Sequence, residues 1–154
     1  MALDTWKDIA TIGGTIIALG TLVKAVAEYT IQGAQKRAEH FIALRKRFKE
    51  NEEFLELCSL IDMNDPKLAE MEFKSKRDLL GFFEEIALFV NSGLIRKQLA
   101  HYMFGYYALR CWECKYFWTN INRDSHYWAL FRAFVMDMKI REREFKFDNR
   151  EFKF

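Results

Sequence analysis

The chain has 154 residues, with 24 Lys and Arg against 22 Asp and Glu, so its net charge is only +2. Balanced charge argues against generic binding of duplex nucleic acid, and an odd cysteine count of three implies no disulfide framework. Aromatic residues make up 16% of the sequence and include fifteen Phe. A domain this small does not easily bury them all, so some are expected at an interface, a ligand or a membrane surface.

The first element is the run Ile9 to Val23, fifteen residues without a charge. Fifteen residues rise about 22 Å as a helix, short of the ~30 Å hydrocarbon layer, so a span must borrow from its flanks. Lys24 can snorkel, and Trp6 and Tyr29, ~34 Å apart on a helix, suit the two interfacial belts. Residues 1–31 are therefore expected to be a single transmembrane anchor. The start carries Asp4, Lys7 and Asp8 and does not read as a signal peptide. The competing reading is a buried helix of a soluble protein, since Lys24 and Glu28 interrupt the run. Basic residues cluster after the span (Lys24, Lys36, Arg37, Arg45, Lys46, Arg47, Lys49), which places the remainder in the cytoplasm. Within the run, Ala10, Gly14 and Ala18 fall on one stripe that lets helices approach closely, so homo-oligomerisation is expected.

From Tyr29 to about Asp62 the sequence reads as a continuing helix, with Ala34, Ala38, Phe41, Leu44, Phe48 and Leu55 on its apolar face. Asn64, Asp65 and Pro66 break it. Ser75 and Asp78 resemble a capping box for the next helix, which Asn91, Ser92 and a left-handed Gly93 close. A third helix is expected over Arg96 to Asn120, then a polar break over Asn120 to Ser125, then a fourth helix from His126 to Arg141. Residues 32–142 thus form a cytosolic helical bundle around an aromatic core.

The C-terminus changes period. Arg143 to Phe147 and Arg150 to Phe154 repeat one unit around Asp148-Asn149. Pairing Phe147 with Arg150 sets Phe145 opposite Phe152 and matches Glu144 with Lys153 and Lys146 with Glu151. Residues 143–154 are expected to form a β-hairpin, giving an all-α chain with one hairpin appended.

Chemistry-bearing residues are few. Cys111-Trp-Glu-Cys114 lies deep in a helical pattern, without the strand-to-helix setting of a redox pair, and Cys58, His101 and His126 supply no finger spacing, so core packing is the default and no metal is expected. Glu84, Glu85, Glu113 and Asp137 pair with no nucleophile, and there is no Gly-rich phosphate loop. No catalytic residue, no cofactor and no enzymatic activity are expected. The fourth helix places Trp128, Arg132, Lys139 and Arg143 within a sector of about 60°. A ring beside three cations suits a nucleotide, and a symmetric oligomer would repeat the patch around its axis. The alternative makes Trp128 a core residue with the cations as its solvated border.

The stretch Phe82-Phe-Glu-Glu-Ile-Ala-Leu-Phe-Val-Asn-Ser-Gly-Leu-Ile95, with Phe104-Gly-Tyr-Tyr, Arg110-Cys-Trp-Glu113 and Trp128 to Met138, resembles a family of small, largely uncharacterised bacterial proteins. Those proteins pair an N-terminal membrane helix with a cytosolic helical domain. The layout also resembles membrane effectors of anti-phage systems, including CRISPR-associated ones. These resemblances imply a single-pass protein of the bacterial inner membrane, in contact with lipid, whose cytosolic domain binds a cyclic oligoadenylate or similar messenger and alters the oligomeric membrane part in antiviral defence. The other function class consistent with the residues is a membrane-tethered protein-protein interaction module with no small ligand.

Overall fold

A computed structural model describes the backbone of residues 2–144 and the side chains of residues 19–144. It divides into two units, residues 1–38 and residues 39–154, with the division inside the first helix.

That helix, α1, runs Ala2–Glu50. In the first unit Leu19, Leu22, Val23 and Val26 are all more than half exposed. At 100° per residue these four occupy a stripe about 100° wide, while Lys24 and Glu28 stand on the opposite side. The two charges pair at 3.7 Å, one helical turn apart. The Thr30 hydroxyl turns back and donates to the Ala27 carbonyl at 2.8 Å.

The second unit begins with the last turns of α1, where Phe41, Leu44 and Phe48 are buried at helical spacing. Asn51 ends α1 and starts α2 (Glu52–Met63): its backbone is extended and its Oδ1 accepts from the Phe54 N–H at 3.0 Å. This break changes the helical phase. Leu55, expected on a continuing apolar face, is 46% exposed, and Phe54, Leu57, Cys58 and Ile61 point inward instead. Asn64 closes α2 in the left-handed region at φ 50°. Asp65 then caps a 3₁₀ turn, Pro66–Ala69, accepting from the Lys67 N–H at 2.9 Å.

Helix α3 (Phe73–Asn91) starts one turn earlier than a capping box at Ser75 allows. Ser75 lies inside the helix, buried, and its hydroxyl donates to the Glu53 carboxylate of α2, so it ties two helices together. The other end matches the sequence: Gly93 has φ +73°, and the Gly93 and Leu94 N–H groups reach the Val90 and Phe89 carbonyls at 3.1 and 2.9 Å.

The expected long third helix is divided. A short α4 (Lys97–Ala100) passes through a π turn, His101–Gly105, into α5 (Tyr106–Glu113). Cys114 is extended, and the chain turns away. The physical reason lies in Trp118, whose ring folds back so that its Nε1–H donates to the Cys111 carbonyl at 3.0 Å, satisfying an acceptor that the end of α5 leaves open. Ser125 caps a 3₁₀ turn, His126–Trp128, which leads into α6 (Ala129–Glu144).

Rings fill the core in linked groups. Phe48 stacks on Phe82 at 5.3 Å and meets Phe104 edge-on at 5.9 Å. Phe83 stacks on Phe131 at 5.6 Å, and Trp112 meets Trp118 edge-on at 5.6 Å. Each pair adds a geometric preference to the area it buries.

Two expectations about fold class are corrected. Among the described residues there is no strand, and Arg143 and Glu144, expected to open the hairpin, form the last turn of α6. The rest of that expected hairpin, 145–154, lies outside the described residues. Among the described residues no helix is long and apolar enough to cross a membrane. From Leu19 onward α1 carries Lys24, Glu28, Lys36, Arg37 and Glu39, which leaves no long uncharged window. The side chains of Ala10, Gly14 and Ala18 lie outside the described residues.

Candidate functional site

The four residues singled out on the last helix are spread along it. Trp128 is half-buried against the core at the entrance to α6, and Arg143 is exposed in its last turn, fifteen residues and about 22 Å further on. Between them Arg132 Nη1 reaches the Asp124 carbonyl at 3.4 Å and its carboxylate at 3.9 Å. Lys139 Nζ lies 2.9 Å from Glu113 Oε1 on α5. The ring and the cations therefore share a side of α6 without closing into one pocket, and an anion arriving there meets Arg132 and Lys139 already engaged.

The carboxylates also have structural partners. Glu84 on α3 is half-buried, and its Oε1 accepts from the Phe131 N–H at 3.3 Å, so a neighbouring helix caps the start of α6. Burial raises the Glu84 pKa, against the lowering effect of that hydrogen bond. Glu85 forms a two-oxygen pair with Arg47. Asp137 binds Lys97 at 3.2 Å and Arg141 at 3.7 Å.

Cys58, Cys111 and Cys114 are all buried and free. Burial, reinforced by the Asp62 charge, pushes the Cys58 thiol up to about 12. Burial pushes Cys111 well above the usual thiol range, with Cys58 and Cys114 adding to it. Such thiols hold their protons and act as small apolar packing groups. Among the described residues no group of three His, Cys, Asp or Glu is arranged to hold a metal ion.

Two features escaped the sequence reading. Lys76 on α3 is 2% exposed and lines a cavity of about 170 Å³. Its signal was present: Lys76 falls in step with Leu79, Leu80 and Phe83, a lone cation on an apolar face. The second is the exposed apolar stripe of α1. Reading the stretch as a span for lipid made the grouping of its side chains irrelevant and so hid it.

Residues 9–143 match the family described as Domain of unknown function (DUF4760). The chain belongs to this family. The match takes in α1 from Ile9 and closes at Arg143 in the last turn of α6, so the helix bearing the stripe and the aromatic unit both fall within it. Membership assigns no residue a role, and it bears on neither membrane effectors nor anti-phage defence. No curated protein and no solved structure matches the chain.

Proposed function

We propose that this member of the DUF4760 family is a non-catalytic, self-associating interaction module, in which α1 joins two copies of the chain and the aromatic helical unit is the carried domain. One observation carries the reading: Leu19, Leu22, Val23 and Val26, 57%, 60%, 68% and 56% exposed, form an apolar stripe opposite the Lys24–Glu28 pair, with exposed Ile31 alone on the charged side of this stretch. A helix bathed in lipid is apolar all round, whereas a seam between helices is apolar on one side only. An identical stripe on a second copy is complementary by symmetry.

The energetics favour reversible association. A seam of four side chains from each copy is small, so the assembly should depend on concentration.

The test is the double substitution Leu19→Glu and Val26→Glu in the full chain, followed by light scattering. The expected result is loss of the dimer with an unchanged thermal transition of the aromatic unit. Mass unchanged by the substitutions overturns the reading, as does association of the wild-type chain only when anionic vesicles are added.

A second reading treats the side of α6 bearing Arg132 as an anion site for a nucleotide. The observation in its favour is that Asp124 holds Arg132 loosely, at 3.9 Å from a carboxylate side chain 77% exposed, a pair worth little in water. It predicts a thermal shift with cyclic or linear oligoadenylate that Arg132→Glu removes. No shift, or one that survives that substitution, rejects it.

A further inference from the structure

The cavity beside Lys76 brings together groups that nothing in the proposed self-association uses. Met71, Phe73 and Ile121 supply apolar walls, and Thr119 and Asn120 supply polar side chains. Lys76, only 2% exposed, is buried in the wall. Its ammonium makes no hydrogen bond or ion pair with a described residue. Burial lowers the Lys76 pKa, with Cys114 acting in the opposite direction. The stem of Lys76 is packed away while its ammonium has no counter-charge among the described residues, which leaves it open to a bound anion. At about 170 Å³ the cavity is roughly ten times what one water needs, so an anion with several heavy atoms fits.

We propose that this cavity is a binding site for a small monocarboxylate with a short apolar tail. The carboxylate takes the charge of Lys76 together with donors from Thr119 and Asn120, and the tail lies against Met71, Phe73 and Ile121. The mix of one cation, two neutral polar side chains and four apolar side chains, Ala69 included, favours this chemistry over a polyanion, whose further charges would meet apolar walls.

The test uses thermal unfolding of the full chain with millimolar butyrate, its neutral isostere butyramide, and inorganic phosphate. Butyrate is expected to raise the transition by several degrees, with butyramide and phosphate inactive. Lys76→Met, which keeps the volume and removes the charge, is expected to be at least as stable as the wild type in plain buffer and to lose the butyrate shift. Titrating butyrate into the wild-type chain while following the Met71 methyl resonance provides a readout that does not depend on the variant folding; saturable movement supports the site. No saturable response to butyrate, an equal shift with butyramide or phosphate, or a butyrate shift that persists in Lys76→Met overturns it.

Discussion

Glu84 shows how a single side chain can serve a helix other than its own. Its carboxylate accepts from the Phe131 N–H at the start of α6, yet it is desolvated enough for its pKa to rise. A folded-state pKa above the unfolded value means that Glu84 favours folding below the unfolded value of 4.5, and that this advantage is lost as pH rises through the folded value. Glu84→Gln keeps an acceptor oxygen and removes the charge. It should be as stable as wild type or more so at neutral pH, with the gap closing below about pH 4.5; equilibrium unfolding at several pH values measures this. At this scale, what the sequence made legible was local chemistry. Gly93 and the Asn64-Asp65-Pro66 break are visible because their bonds reach two to five residues along the chain. Ser75 misled because its partner, Glu53, is 22 residues away. The isolation of Lys76 depends on what other segments fail to bring to it.

Among elements, the π turn between α4 and α5 leaves little room for a side chain at Gly105. A Cβ placed on Gly105 would come within 2.9 Å of His101 Cδ2 and 3.5 Å of Cγ, so the obstacle is the ring itself. Gly105 is buried, and the neighbouring Phe104 packs in the core against Phe82 at 5.8 Å. Gly105→Ala should therefore destabilise by about 1–3 kcal/mol despite the better helix propensity of alanine, and a urea midpoint shifted upward would contradict that. Helix existence was readable from apolar spacing, but two boundaries were not. Asn51 is a small polar residue that fits a helix surface until its side chain is seen capping α2. The end of α5 depends on Trp118 returning to Cys111, a contact made by a ring the helical pattern claimed as its own. The side-chain partners on α6 were equally hidden, because Asp124 and Glu113, which engage Arg132 and Lys139, lie on other segments.

For the molecule as a whole, the aromatic surplus finds its place mainly inside the second unit, where Phe83, Phe104, Phe117 and Phe131 are almost fully buried. That removes most of the need for an aromatic partner surface, which the composition alone had suggested. Exposed apolar side chains remain on several helices, among them Phe73, Leu88 and Ile140, and the contiguous stripe on α1 motivates a second copy of the chain. Composition could count these residues but could not sort them, because burial depends on which helices pack together. The central claim is most directly tested by sedimentation velocity of the full chain, without detergent, over two decades of concentration in the micromolar range. A reversible shift from monomer to dimer as concentration rises is the predicted result. A single monomeric boundary at every concentration would contradict it.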